Sequence, residues 1–505
     1  MRAHGQSVTD FSDVVAASVS EQFDFGVLGG AFIDGSWQTD NLTVAVRDPE
    51  SDRLLGWVAH STPDDVGRAI AGVERTIDAA NWPTWSRREA LAAAARMVER
   101  QADRFAAIIS SEGVKTITEA EREVARCVET LRLSSEAGVF LTGETLPFDD
   151  TRRGEGKVGW FVREPIGVVA AITSFNDPLN LVAHKVGPAL MAGNGVVLKP
   201  SGSTPLTALA LVEVLIAAGV PAGRIAVVCG GPETGHALVT DRRVNLVSFT
   251  GGPRAAERIT EAAGPRKMLM ELGGNNPTIV CAGADIASAA AAVVDGAFGV
   301  AGQNCLSVQR VYVHRLIFDS FLQDVVARTE ALRVGSKADR STDVGPMIAE
   351  SEARRVEEWV AEALSTGATL RVGGRREGAF YHPTVLTDVA AGSRLLTEEV
   401  FGPVVTVMPF GDIEAAIRAA NESDYALQAG LFTAAINEAF YIAAKLNAGA
   451  VVVNGTSDFR IDSMPFGGFK NSGIGREGVR YAVEAMTEPK CTIIATADRS
   501  LQPMG

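Results

Sequence analysis

The stretch from Gly167 to Val280 constrains the fold more than any other part of the chain. Apolar runs at Val168–Ile172, Val196–Leu198, Ile225–Val228 and Val244–Phe249 read as strands. Between them Leu179–Met191, Leu206–Ala218 and Ala255–Ala263 carry the three- and four-residue apolar spacing of helices. Thr204-Pro205 supplies a helix start and Gly219-Val220-Pro221 a stop. Strands spaced by helices form βαβ units, so the expected class is α/β, with a mostly parallel sheet covered on both faces. Such sheets bind ligands at the carboxyl ends of their strands. The alternation returns over Asp285–Met486, with strands near Val404–Met408 and Val451–Val453.

Upstream, Asp34-Gly35 reads as a hairpin turn, and Val66–Ala80, Trp85–Ile109 and roughly Ile117–Ser135 read as helices. Residues 1–26 show no sustained period and read as a loosely held extension. Thr142–Pro165 breaks the pattern with Gly, Pro and charges around a short Val158–Val162 run. At 505 residues, 46% hydrophobic and 21% charged, the chain suits two or three globular domains. Acidic residues exceed basic ones, 61 − 47, giving a net charge of −14. That balance weighs against nucleic acid and anionic membranes as partners. No apolar span long enough for a transmembrane helix is read, and Asp10, Asp13 and Glu21 do not suit a signal peptide. Five scattered cysteines (127, 229, 281, 305 and 491) fit no disulfide framework and point to a reducing, cytoplasmic setting. Six isolated histidines offer no ligand spacing, so no metal site is expected.

Gly302-Gln303-Asn304-Cys305 stands between the apolar run Ile286–Val300 and the strand-like Ser307–Val313, where a loop could present a thiol. A lone cysteine is more often an inert core residue, so the thiol needs partners from elsewhere. Three segments stand at strand ends: Thr173-Ser174-Phe175-Asn176-Asp177-Pro178, Lys199-Pro200-Ser201 and Thr250-Gly251-Gly252-Pro253. Glycines entering a helix let the backbone approach a phosphate. Pro253 and Ala256 replace the later glycines of G-x-G-x-x-G, however, and a plain turn explains the pattern equally well. Lys199 reads either as a solvated strand-end charge or as a donor to a ribose or phosphate. Glu271, in Glu271-Leu272-Gly273-Gly274-Asn275-Asn276-Pro277, is either an ion-pair partner or a general base raised by burial. Glu398-Glu399-Val400-Phe401-Gly402-Pro403 and Pro465-Phe466-Gly467-Gly468-Phe469-Lys470 complete the set.

In this order and spacing, from about Phe32 to Ala495, the segments resemble the aldehyde dehydrogenase superfamily of NAD(P)-dependent enzymes. The resemblance implies a Rossmann-like cofactor domain (27–141 and 166–272), an α/β catalytic domain (273–486) and a small β oligomerisation arm (142–165 and 487–505). It implies Cys305 as the nucleophile, Asn176 with the Cys305 N–H as the oxyanion hole, and Glu271 as the base that hydrolyses the thioester. Lys199 and Glu399 match residues that hold the two riboses of NAD+ or NADP+. Phe401 lies beside the nicotinamide, and Gly251 and Gly252 match the turn near the pyrophosphate. Phe175, Ser201 and Gly202 are counted with the cofactor site. A homo-oligomer, dimer or tetramer, is implied as well. Lys490–Ala495 has no hairpin partner in the residues just before it, so a neighbouring subunit is expected to cover it.

Two departures from the family pattern bear on specificity. NAD-preferring relatives often carry a Glu where this chain has Gly202, and its loss points to use of both cofactors. In the substrate throat, Asp177 and His184 stand where relatives that take apolar aldehydes are aromatic. Phe459 is kept but is followed by Arg460 and Asp462, and Asn304 beside the nucleophile is polar and uncharged. Buried polar groups need partners, so the expected substrate is a small hydroxylated or charged aldehyde, as in lactaldehyde or semialdehyde dehydrogenases. Phosphonoacetaldehyde is less favoured, since Asn304 is not the arginine that a phosphonate would call for. Glu271 argues against a CoA-acylating enzyme, and the intact set of Cys305, Asn176 and Glu271 argues against a non-catalytic protein of the same fold. A cofactor-free thiol hydrolase would leave Gly251, Lys199 and Glu399 unexplained.

Overall fold

The apolar alternation builds a sheet of eight strands in the computed structural model, which describes residues 30–39, 42–79 and 81–495. The expected extension at 1–26 and the chain beyond Ala495 lie outside the described residues. In spatial order the strands are Ser36–Gln38, Ala31–Ile33, Ile225–Val227, Gly195–Lys199, Val168–Ile172, Val244–Thr250, Lys267–Glu271 and Gly473–Ile474. The middle five run parallel and the outer pairings are antiparallel. Successive residues of the Val168 and Gly195 strands feed two apolar layers. Val169, Ala171, Val196 and Leu198 join one layer, and Val168, Ala170, Ile172 and Val197 the other. Burial on both faces is why these strands read as continuous apolar runs.

Strand registers put the candidate residues in one row. Ile172 pairs with Lys199 and with Phe249, and Thr250 pairs with Glu271. The carboxyl ends of four parallel strands therefore deliver Thr173–Asp177, Lys199–Gly202, Gly251–Gly252 and Glu271 to one edge. Leu272–Asn275 then crosses to a second sheet of seven strands, which Asn276–Val280 enters near its middle beside Val308–His314.

Three readings of the sequence are corrected. The stretch Trp85–Ile109 is two helices, Thr84–Arg100 and Ala102–Glu112, broken at Gln101 (φ −107°, ψ 24°). The apolar period runs on through the break, from Leu91, Ala94 and Val98 to Phe105 and Ile109, so periodicity cannot reveal it. The run Lys490–Ala495 does have a partner. Thr487–Ala495 pairs antiparallel with Lys157–Pro165 along its whole length, with Glu144–Leu146 on the far side. That partner lies over 300 residues away, Lys490 standing 326 positions from Glu164, beyond the reach of a local reading. Finally, residues from Gly473 on leave the expected catalytic unit of 273–486: Gly473–Ile474 joins the first sheet, and Val479, Val483 and Met486 pack into its core.

The Asp34-Gly35 turn follows its reading: Ile33 pairs with Ser36, and both turn residues have positive φ (53° and 74°), as the twist of a two-residue hairpin loop requires. Among the described residues no helix is long and apolar enough to cross a membrane.

Candidate active site

Cys305 follows a sharply bent segment. The helix Ile286–Phe298 ends in a short turn, Gly299–Gly302, in which Val300 (φ 55°), Ala301 (φ 52°) and Gly302 (φ 67°) are all left-handed. A β-branched residue rarely adopts that conformation, so the surroundings must hold it. Glu119 Oε1 accepts from the Val300 N–H at 2.7 Å, and the Gln303 side chain bridges the carbonyls of Val300 and Pro346 to the Ile348 N–H. A Cβ on Gly302 would stand 2.2 Å from the Gly402 carbonyl oxygen, so only glycine fits there. The Asn276 amide then fixes the thiol's own backbone, donating to the Cys305 carbonyl at 2.8 Å.

The thiol opens into a cavity of about 750 Å³. Phe175, Asn176, Asp177, Gly251, Gly252, Glu271, Asn304, Glu399, Phe401 and Arg460 also line it. Ser174 Oγ donates to Asn176 Oδ1 at 2.8 Å, and the Asn176 amino group, with no acceptor among the described residues, can donate into the cavity. Glu271 is buried, and its Oε2 has no partner among the described residues; the same holds for the hydroxyl of Thr250, its register partner. Glu399 is cradled by the Gly273-Gly274 backbone, accepting from the Gly274 N–H at 2.9 Å, while burial lifts its carboxyl to about 7. The rings of Phe401 and Phe175 meet edge to face at 5.8 Å.

Burial dominates the site's electrostatics. It holds the Cys305 thiol well above its usual range, assisted by the negative charge of Glu399 and opposed by Arg460. It raises Glu271 likewise, with Glu477 adding to the effect and Arg460 and Lys185 acting against it. No cation adjoins Cys305 in sequence, yet in space Arg460 acts on both groups. Its guanidinium stacks 3.9 Å from the centre of the Phe466 ring and donates to Glu477 at 3.3 Å. Lys185 meets the same Glu477 at 2.8 Å; burial opposes that carboxylate's charge, but the two cations outweigh it and hold it at about 2.

The remaining candidates divide between two places. Ser201 and Gly202 line a second cavity of about 290 Å³ at the end of the Gly195–Lys199 strand. Lys199 lies beside it against Gly235, almost fully buried and without an ion-pair partner among the described residues, and burial lowers its pKa. These features suit a dinucleotide. A buried ammonium awaits an acceptor, open space surrounds Gly202 and Gly252, and a Cβ on Gly251 would strike the Phe249 ring at 2.5 Å. His184 and Phe459 are not part of either cavity's lining. His184 is buried behind Arg460, with Nε2 2.8 Å from Asp462, and the Phe459 side chain is half exposed.

Several wall residues escaped the sequence reading. Lys115 pairs with Glu123 and Asp177, and Arg126 reaches Asp177 (3.4 Å) and Asp462 (3.0 Å). Asn304 Nδ2 donates to Asp458 at 2.6 Å, while its Oδ1 accepts from the Leu306 N–H. Glu119, Glu123 and Arg126 share one face of the helix Ile117–Glu136, and a charged helical stripe reads in sequence as a solvated face.

This arrangement can be set beside known proteins. The sequence model of the aldehyde dehydrogenase family matches residues 37–492. The chain belongs to the aldehyde dehydrogenase family. It is 45% identical to aspartate-semialdehyde dehydrogenase 1 of Pseudomonas canavaninivorans, over 88% of this chain and 95% of that one. It is 42% identical to 3-sulfolactaldehyde dehydrogenase of Priestia aryabhattai, over 92% and 98%. Its structure superimposes on glyceraldehyde-3-phosphate dehydrogenase of Methanocaldococcus jannaschii, solved with NADP, with a TM-score of 0.87 and 36% identity over 90% and 100% of the chains. The enzyme is thus an NAD(P)-dependent aldehyde dehydrogenase.

Proposed function

We propose that the enzyme oxidises a small, charged or hydroxylated aldehyde to its carboxylate, with Cys305 as nucleophile and Glu271 as base. The observation that carries this reading is one cavity holding a thiol, an amide and a buried carboxyl oxygen, the amide's amino group and the carboxyl oxygen having no partner among the described residues. Cys305 Sγ attacks the aldehyde carbon, and the developing oxyanion takes the Asn176 amino group and the Cys305 N–H. Bound NAD(P)+ supplies the hydride acceptor. Glu399 and Lys199 hold its riboses, and Gly251 and Gly252 admit its pyrophosphate. Glu271 then takes a proton from the water that attacks the Cys305 thioester, which frees the acid and restores the thiol.

Substrate class follows from the wall around the thiol. Arg126 and Arg460 each keep a buried Nε without a partner among the described residues, and Asn304, Asp177 and Asp458 add acceptors and donors. An apolar aldehyde would leave the two Nε groups unsatisfied and set apolar surface against the charged, already hydrogen-bonded Asp177, Asn304 and Asp458, whereas an anionic or hydroxyl group can bond to this wall. The names of the relatives, 3-sulfolactaldehyde and aspartate-semialdehyde dehydrogenases, agree with this class.

The enzyme works as a homo-oligomer in the cytoplasm on this reading. The three-stranded sheet exposes Trp160, Val162, Ile493 and Ile494, and among the described residues the Thr487–Ala495 strand keeps one edge unpaired. All five cysteines are free, as suits a reducing compartment.

The test is a panel of neutral, hydroxylated and anionic aldehydes, followed at the absorbance band of reduced nicotinamide with NAD+ and NADP+ separately, with and without CoA. CoA-independent turnover, fastest with an anionic aldehyde, is the expected outcome. Strict dependence on CoA would replace Glu271-driven hydrolysis with thiol transfer, and no turnover on any aldehyde would overturn the reading.

A further inference from the structure

The smaller cavity carries a feature that the catalytic scheme leaves unused. Its lining is mostly backbone and small or apolar residues: Val44, Val58, Pro200, Gly202, Gly230 and Gly231 among them. Two lining side chains, an imidazole and a carboxyl, face each other. His60, which follows the strand Leu54–Ala59, places Nε2 3.3 Å from Oε1 of Glu233, in the first turn of the helix Pro232–Thr240. The two are 43% and 56% exposed, so each can turn away from the other at little cost. Gly202, on the same cavity, presents no side chain and has open space where a Cβ would lie. A carboxylate is therefore absent from position 202 but present at Glu233, beside an imidazole.

We propose that His60 and Glu233 together read the 2′ position of the cofactor's adenosine ribose. Glu233 accepts a hydrogen bond from the 2′-hydroxyl of NAD+, and His60, with Lys199 and Ser201, donates to the 2′-phosphate of NADP+. This inference rests on the reading that the smaller cavity holds the adenosine end of the cofactor. The physical logic is an exchange of partners. With no nucleotide, the two side chains pair with each other. A 2′-hydroxyl adds a donor to Glu233 and leaves that pair in place. A 2′-phosphate competes for the His60 N–H and repels Glu233, which is 56% exposed and can swing into solvent; its one ion pair among the described residues is with His60, and Lys199 attracts it only at longer range. The two residues thus pull cofactor preference in opposite directions.

The experiment is calorimetric titration of the full-length protein with NAD+ and with NADP+, comparing wild type with His60→Ala, His60→Arg and Glu233→Gln. His60→Ala should lower the ratio of NADP+ to NAD+ affinity roughly tenfold, the scale of one charge-assisted hydrogen bond. Glu233→Gln should raise that ratio several-fold, and His60→Arg should hold it at or above the wild-type value. A ratio unmoved by both His60→Ala and Glu233→Gln overturns the proposal, as does a shift of the same sign in both. Lys199→Ala separates this failure from a wrong placement of the cofactor. If it weakens both nucleotides while the ratio ignores His60 and Glu233, the cavity is the adenosine site and only the role of the pair is lost. If Lys199→Ala leaves both affinities unchanged, the placement itself fails.

Discussion

Asn276 Nδ2 donates to the carbonyl oxygen of Cys305 at 2.8 Å and to that of Ser307 at 3.0 Å, while Asn276 Oδ1 accepts from the Gln428 N–H. One buried amide at the start of a strand thus ties the nucleophile's loop to the second sheet. Replacing it with Ala strands three buried backbone groups, so Asn276→Ala should destabilise the fold by about 2–4 kcal/mol. Turnover should fall further than stability alone explains, because the thiol loses its fixed position. Denaturant unfolding measured beside the steady-state rate checks both parts; a fully stable, fully active variant contradicts the assignment.

Glu271→Gln should retain the first half-reaction and lose the second. Mixing this variant with aldehyde and cofactor should give one equivalent of reduced nicotinamide, then a stall at the Cys305 thioester. Cys305→Ser should give no burst, since a hydroxyl is a far weaker nucleophile near neutral pH. Rapid-mixing absorbance distinguishes the two. Wild-type steady-state turnover in Glu271→Gln would assign the base to another group.

Activity should climb with pH. Both Cys305 and Glu271 act in their deprotonated forms, and burial raises both above their usual ranges. The active fraction therefore grows as pH rises, and kcat/KM should go on increasing beyond the ordinary carboxylate range and into alkaline solution. Arg460→Met removes the cation that opposes these shifts, so its profile should move to still higher pH. A wild-type profile that stays flat from neutral to alkaline pH would tell against deprotonation of either group as the limiting feature.

Gly202→Glu should favour NAD+. Open space at the Gly202 Cβ position leaves room for the side chain, and a carboxylate there accepts a 2′-hydroxyl and repels a 2′-phosphate. The expected change is roughly tenfold in the ratio of kcat/KM values for the two cofactors. An unchanged ratio places residue 202 outside the ribose site.

Truncation before Lys490 should lower solubility and activity together. It strips Lys157–Val162 of its partner strand and leaves the backbone edge beside Trp160 and Phe161 unpaired. Light scattering on the intact protein should report a dimer or larger. A fully active monomer at micromolar concentration would remove the oligomer from this reading.

The sequence by itself determined the parallel sheets and the row of strand ends, because strands buried on both faces must be continuous apolar runs broken by turn residues. It also singled out Cys305, Asn176, Glu271 and Glu399, whose segments pair reactive side chains with the Gly, Pro and Asn of tight backbone turns. Tertiary structure alone decided the rest. It brought Arg460 to act on a thiol 155 positions away, paired Thr487–Ala495 with Lys157–Pro165, and set His60 against Glu233. It also put His184 behind Arg460 and left Phe459 outside the cavity. The reason is physical. Local sequence encodes backbone preference and burial, which act over a few residues. Charge–charge geometry and strand pairing depend on distances that only the folded chain sets.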